Sequence, residues 1–315
     1  MAIQWFPGHM KVTKNAITER IKTIDVVIEL LDARLPGSSA NPMLVQLTGK
    51  RPKLKVLNKQ DLADPARTAE WLAWYNAQPA TQAIGLDASE KTPALRLLAA
   101  CRQLAPNRGG MDKPLRLLIC GVPNVGKSTL MNTLAGRKAA KTGDEAGVTR
   151  VEQRINLASD CYLFDTPGML WPKIIVEKGG YHLAASGAVG RNAYDDEEVA
   201  LELLNSLKGH YAALLAARYK LDDLDTIATR HDDELLAEIS RKRGAVMTGG
   251  RVNLAKAAEI VINDFRSAAL GRITLESPSE FAAWLAAAKV VEAERARERA
   301  ERNKLRRGQS SSAPR

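Results

Sequence analysis

No stretch of the 315-residue sequence approaches the roughly 20 consecutive apolar residues of a membrane-spanning helix. The opening Gln4-Trp5-Phe6-Pro7-Gly8-His9-Met10 has no charged n-region followed by an apolar core, as a secretory signal would. Cysteine is scarce, and Cys101, Cys120 and Cys161 have neither disulfide nor metal spacing, two of them falling in apolar strand-like runs. They are expected to be reduced core residues with no disulfide partner. No internal repeat is present. These absences lead to an expectation of a soluble cytoplasmic chain with no membrane partner; separately, a monomer is expected.

Positive charge is in excess. Lys and Arg number 46 against 36 Asp and Glu, for a formal net charge of +10. Clustered cations gain affinity for polyanions by releasing phosphate counterions, so a polyanionic partner is expected, although charge alone does not choose it. The length suits a core domain and one smaller domain.

Through the first 170 residues, strand-like and helix-like segments alternate. Residues 25–31 and 53–57 have the apolar continuity of buried strands, and a helix is predicted over 65–76 with Trp71, Trp74 and Tyr75 on its apolar face. A third strand is expected at 83–86, and a helix over 93–104 that ends at Pro106 and Gly109-Gly110. Residues 115–120 form another strand, with a helix from about Lys127, and two hairpin-like strands follow near 151–157 and 161–164. The pattern predicts an α/β fold with a mainly parallel sheet and helices on both faces. Beyond Pro172 the character changes: from about Tyr194 to Leu270 the periodicity is helical, predicting a separate small all-helical domain, and from about Phe281 an Ala-rich helix runs into alternating Glu and Arg.

The motifs that carry chemistry stand in an unusual order. Gly121-Val122-Pro123-Asn124-Val125-Gly126-Lys127-Ser128 fits the strict phosphate-loop pattern and sits between a strand and a helix. Backbone N–H groups from Asn124 through Val125, Gly126, Lys127, Ser128 and Thr129 can cradle phosphates, Lys127 can bridge the β and γ oxygens, and the Ser128 hydroxyl can hold Mg²⁺. Upstream of it lies Asn58-Lys59-Gln60-Asp61. The Asp61 carboxylate can accept from both N1–H and the exocyclic amine of guanine, a donor pair that adenine lacks. The Lys59 stem can lie along the base, and Asn58 can tie this loop to the phosphate loop. A capped helix start is the bland reading of such a tetrapeptide, but it weakens in a chain that also carries a phosphate loop. In the usual GTPase the phosphate loop comes first, so this order predicts a circularly permuted GTPase joined through the polar connector 107–114.

Asp87-Ala88-Ser89 resembles the loop in which a backbone amide, that of Ala88, meets the guanine O6, with Asp87 in place of the usual serine. Asp165-Thr166-Pro167-Gly168 follows a strand, placing Asp165 within reach of Mg²⁺ through water and the Gly168 amide against the γ-phosphate. Thr149, in Gly147-Val148-Thr149-Arg150, is expected as the second hydroxyl ligand of Mg²⁺, against the plainer reading of a turn residue. Met169 and Leu170 occupy the place where many GTPases carry a water-orienting glutamine. Two candidates remain for positioning that water, K⁺ held by the Asn124 carbonyl and His9 as a catalytic group, unless the segment around Trp5 and Phe6 is only a packing strap.

Together these residues resemble the YlqF-type, or ribosome biogenesis GTPase A, family of circularly permuted GTPases. The resemblance rests on Trp5-Phe6-Pro7-Gly8-His9-Met10, Asp32-Ala33-Arg34-Leu35-Pro36 with Asn41-Pro42, and the permuted order. It extends to Asp264-Phe265-Arg266, Gly271 and Ile273-Thr274-Leu275-Glu276. It implies GTP hydrolysis to GDP coupled to late assembly of the large (50S) ribosomal subunit, with binding in the GTP state, release after hydrolysis, and turnover stimulated by the particle and by K⁺. The domains expected are a permuted GTPase domain over 1–175 with an N-terminal strap at 1–20, a helical rRNA-binding domain over 176–278, and a basic helical or disordered tail over 279–315. Arg34 has two readings, an RNA contact or a buried partner of Asp32, the second favoured. The basic tail is either an rRNA contact or a solvated charged helix. A rival from another class is a nucleotide-stabilised RNA-binding scaffold without significant turnover, which the missing glutamine supports. A GTPase of tRNA modification or membrane traffic is disfavoured by the lack of a membrane segment and of a Cys-based modification site.

Overall fold

The structure, a computed structural model, describes residues 3, 15, 17–49, 51–110, 112–137, 153–166, 168, 170, 171 and 173–311, with the side chains of 93 and 304–311 outside that description. Among the described residues, six strands form one sheet in the order β3-β2-β1-β4-β6-β5. They are β1 (Val26–Asp32), β2 (Lys53–Asn58), β3 (Thr81–Gly85), β4 (Leu115–Gly121), β5 (Gln153–Ala158) and β6 (Cys161–Asp165). All neighbours pair in parallel except β5 with β6, which form an antiparallel hairpin. The central strand β1 is buried at all seven positions, so its sequence does not alternate: five residues are apolar and the two buried carboxylates are paired, Glu29 with Lys55 and Asp32 with Arg34.

Helices cover both faces. Between the strands run α1 (Pro42–Thr48), α2 (Pro65–Asn76), α3 (Lys91–Leu104) and α4 (Lys127–Ala135). Asp64 starts α2 by accepting from the amides of Ala66 and Arg67, with Pro65 at the first helical position where no N–H is needed. Alternate strand residues divide between two clusters: Leu31 and Leu57 pack with Trp71 and Tyr75 of α2, whereas Leu30 and Val56 join Leu97 of α3 and Leu130 of α4. Trp74 departs from expectation, since it is 45% exposed while Trp71 and Tyr75 are buried. Residues four apart share a helical face, and Trp74 lies off it. The cysteines are buried and free, and desolvation raises the thiol pKa of each.

The remainder is helical: α5 (Glu177–Ser186), α6 (Asp196–Lys208), α7 (Ala212–Tyr219), α8 (Leu224–Thr229), α9 (Asp232–Lys242), α10 (Leu254–Arg266) and α11 (Pro278–Ser311). Asp195 caps α6 through the amides of Glu197 and Glu198, and three acids in the first turn complement the helix dipole. The apolar core continues from Ile28 and Leu118 of the sheet to Leu203 of α6 and Val261 of α10. After α10 the chain returns to the sheet, burying Ile273, Leu275 and Glu276. Phe281 of α11 presses on Gly37 so closely that a Cβ there would lie 2.5 Å from its ring.

Candidate functional site

Because β1, β2, β3, β4 and β6 are parallel, their carboxyl ends line one edge of the sheet. Segments 32–36, 58–61, 87–89 and 121–128, with residues 165, 166 and 168, emerge along that edge. Strand order, not chain order, decides which loops are neighbours, so cutting the chain elsewhere leaves the constellation intact. The direction of travel across the sheet reverses between β1 and β4, the kind of switch point where open α/β sheets bind ligands.

Asn58 joins three of these loops. Its side-chain nitrogen donates to the Val125 carbonyl at 2.7 Å, and its oxygen accepts from the Ala88 amide at 2.8 Å. Gly126 sits under it with φ of 101°, where a Cβ would collide with the Asn58 amide nitrogen. Thr133 of α4 donates to the Ala88 carbonyl at 2.7 Å, pinning the same loop from the other side. The Ala88 N–H, the group expected at the guanine carbonyl, donates here to the buried Asn58 side-chain oxygen, which needs a donor. Asp87, standing where a serine was expected, accepts from both the amide and the hydroxyl of Ser89 and so shapes the turn. Gln60 is half-buried beside Gly85, and Asp61 is exposed.

The phosphate loop enters α4 with Asn124 at φ of 55° and Gly126 at 101°, which turns successive amides toward the helix start, an arrangement suited to anions. The buried Lys127 amine donates to the carbonyls of Gly121 at 3.1 Å and Val122 at 2.9 Å. Burial lowers its pKa to about 8, against the opposing field of Asp165. Gly168 lies against this loop, and a Cβ on it would stand 2.9 Å from Pro123 Cα and 3.1 Å from Lys127 Nζ. Thr166 is fixed by its hydroxyl to the Ile119 carbonyl at 2.9 Å.

The donor set suits Mg²⁺. Ser128 in the first turn of α4 and Asp165 at the end of β6 are hard oxygen donors, and Asp165 is 1% exposed. Among the described residues no group of three His, Cys, Asp or Glu could make a metal cage. Mg²⁺ at a nucleotide needs none, since phosphates and water complete its shell. Thr149 and His9, expected as a metal ligand and a catalytic group, lie outside the described residues, as do Trp5, Phe6 and Met169.

Lys59 takes up positive φ at 61° and donates to Asp32 at 3.0 Å. Asp32 also receives Arg34 through two parallel bonds of 2.9 and 2.8 Å. Burial by itself would raise the Asp32 pKa, but Arg34 and Lys59 outweigh it and hold the carboxyl well below the usual carboxylate range. Burial lowers the pKa of Lys59, against the pull of Asp32. Of the two readings of Arg34, the structure selects the buried partner: it is 2% exposed, donates to the Phe265 and Arg266 carbonyls at 3.3 Å each, and lies 4.8 Å from the Phe265 ring centre.

The helical region grips the same loops through residues to which sequence reasoning gave no role. Arg272 donates to the carbonyls of Gln60 at 2.8 Å and Ala63 at 2.9 Å. Thr274 donates its hydroxyl to the Ala33 carbonyl, and the amides of Ile273 and Leu275 reach the carbonyls of Leu62 and Arg34. Arg266 donates to the carbonyls of Ala184 and Ala185 at 2.8 Å each, while Asn124 of the phosphate loop donates to the Gly187 carbonyl at 2.9 Å. The Arg272–Gln60 contact spans 212 positions of sequence, so no local pattern could have shown it.

A cavity of about 530 Å³ lies between the two parts, lined by Arg34, Lys59 and Asn124 on one side and by Ser186, Gly187, Asn263, Asp264, Arg266 and Ser267 on the other. A second, largely apolar cavity of about 580 Å³ lies beneath α1, α2 and α11 and holds none of the nucleotide motifs.

Residues 116–237 match the family described as 50S ribosome-binding GTPase. The match begins inside β4, so the Asn58 tetrapeptide falls outside it, as a permuted order requires of a contiguous match. Ribosome biogenesis GTPase A of Priestia megaterium (strain DSM 319 / IMG 1521) is 40% identical over 288 residues, covering 89% of this chain and 98% of that protein. Mitochondrial ribosome-associated GTPase 1 of Mus musculus is 32% identical over 295 residues, covering 87% of this chain and 90% of that protein. In fold the chain is similar to GNP-bound YlqF from T. maritima, with a TM-score of 0.61, 22% identity, and coverage of 85% of this chain and 98% of that one.

Proposed function

The chain belongs to the ribosome biogenesis GTPase A family, and from that premise we propose that it is a GTP-hydrolysing assembly factor for the large (50S) ribosomal subunit. It binds the immature particle in its GTP state and leaves after hydrolysis. The observation that carries this reading is the single seam at which the helical region meets both nucleotide loops, through Arg272 on the 58–64 loop and Gly187 on Asn124.

In this reading Asp61 accepts from guanine, and Lys127 with the amides of the phosphate loop and Gly168 holds the β- and γ-phosphates. Ser128, Thr149 and Asp165 hold Mg²⁺, which neutralises charge developing on the phosphates when bound. The attacking water is positioned by His9 or through K⁺ at the Asn124 carbonyl, in place of the absent glutamine. The helical domain over 176–278 binds rRNA, favoured by the net charge of +10. Among the described residues no helix is long and apolar enough to cross a membrane, and the proposed site of action is the cytoplasm, as a monomer.

The test is GTP turnover with and without purified large subunits, in K⁺ and then Na⁺ buffer, beside cosedimentation with a GTP analogue or GDP. Stimulation by the particle, greater in K⁺, with association favoured by the analogue, supports the reading. Equal association in both nucleotide states sinks the switch, and absence of stimulation in every buffer returns the chain to a nucleotide-stabilised scaffold.

A further inference from the structure

The 530 Å³ cavity has a wall that the proposed chemistry does not use. Base reading by residues 58–61 and phosphate binding by 121–128 fix the two ends of a guanine nucleotide, so its ribose falls in the interval between them. Lys59 and Asn124 bound that interval, and it opens onto Ser186, Gly187, Asn263 and Ser267 of the helical region.

Two helix C-termini meet at this wall: α5 ends at Ser186 with Gly187 as its cap, and α10 ends at Arg266 with Ser267 as its cap. The last carbonyls of both helices are already met, those of Ala184 and Ala185 by Arg266 and those of Phe265 and Arg266 by Arg34, and Arg34 is also paired with Asp32, so this wall offers neither a bare dipole end nor an uncommitted guanidinium. The α4 N-terminus, at the other end of the interval, suits phosphate. The phosphates therefore lie toward α4, and the sugar faces the uncharged polar side chains of the helical wall. The exposed side chains offered at the end of α10 are Asn263 and Ser267; the Ser267 hydroxyl donates to the Asn263 carbonyl at 2.7 Å, which leaves its oxygen to accept from a sugar hydroxyl.

We propose that Asn263 and Ser267 hydrogen-bond the 2′- and 3′-hydroxyls of the bound guanine ribonucleotide, so that the helical region completes the nucleotide site. The proposal rests on the guanine-nucleotide reading above. Nucleotide occupancy then holds α10 against Lys59 and Asn124 whether or not a γ-phosphate is present, a link separate from the segment around Asp165.

The experiment is calorimetric titration of the full chain with Mg²⁺ and GDP, 2′-deoxy-GDP or 3′-deoxy-GDP. Wild type is expected to prefer GDP over at least one deoxy analogue by about fivefold, one hydrogen bond's worth. Asn263→Ala and Ser267→Ala weaken GDP but leave that analogue unchanged, bringing the ratio toward one. The inference is overturned if wild type does not discriminate, or if either variant weakens GDP and both analogues alike. Wild type that binds none of the three overturns the guanine-nucleotide reading itself, whereas firm GDP binding with an unchanged ratio in both variants overturns only the ribose wall.

Discussion

Removing Arg34 tests whether the seam between the nucleotide loops and the helical region is held by a buried charge. Arg34→Ala leaves Asp32, 2% exposed, with Lys59 as its remaining cation and deprives the Phe265 and Arg266 carbonyls of a donor. Stripping one partner from a buried pair costs about 3–5 kcal/mol, because the other charge stays desolvated. At roughly 2 °C per kcal/mol for a chain of this size, the melting temperature should fall by about 6–10 °C. The pH dependence has a definite sign. In wild type the Asp32 pKa is depressed, so its contribution is present above the unfolded value of 3.8 and is lost as pH falls through the lower folded value. In the variant, burial faces a weaker opposing charge, Asp32 takes up its proton at higher pH, and the neutral acid is cheaper to bury. The gap between the two proteins should therefore be full at pH 7 and narrow as pH approaches 4. The double variant Arg34→Met with Asp32→Asn removes both buried charges and should regain most of the loss. Thermal melts by circular dichroism from pH 7 to pH 4 read all three. A single variant melting within about 2 °C of wild type, or a gap that does not change with pH, would refute the reasoning.

Three further outcomes bear on the nucleotide site. Asp61→Asn replaces a carboxylate matched to two guanine donors with an amide matched to the 2-oxo group of xanthine. GDP affinity should fall by roughly ten- to a hundredfold while XDP gains, and unchanged GDP affinity in a competition assay would remove Asp61 from base reading. Because Lys127 has a pKa of about 8 without nucleotide, phosphate binding above that pH must take up a proton, and GDP affinity should decline by up to tenfold per pH unit between 8 and 9. The same depression means that its buried charge opposes folding at neutral pH, and that this penalty fades as pH rises through 8. Calorimetry that finds equal GDP affinity at pH 7 and 8.8 contradicts the Lys127 assignment. Gly168→Ala drives a Cβ to 2.9 Å from the backbone of Pro123, which cannot turn aside as a flexible side chain would. Single-turnover hydrolysis should drop at least about tenfold with GDP affinity nearly intact, and a normal rate would separate Gly168 from the γ-phosphate.

The local geometry of the phosphate loop and the tetrapeptide was legible because it depends on adjacent residues. A glycine at positive φ before a helix, a lysine in the first turn and a carboxylate after a buried strand act through a few adjacent residues, whatever lies elsewhere in the chain. The sheet was legible for a related reason, since apolar runs of strand length alternating with amphipathic helices admit few topologies. The Ala88 amide was only partly legible, since only the fold showed the Asn58 oxygen near enough to accept from it. Trp74 was assigned to an apolar face by composition, when its angular position on α2 set it outside.

By itself the sequence determined the kind of ligand, the order of the loops and the two classes of architecture, because those follow from residue type and short-range spacing. Only the tertiary structure decided that Arg34 is buried against Asp32 and the end of α10, that Arg272 anchors the loop of Gln60, and that Asn124 faces the cap of α5. These contacts join positions as much as 232 residues apart. Nothing in either stretch encodes its partner until parallel strands and packed helices bring their ends to one edge.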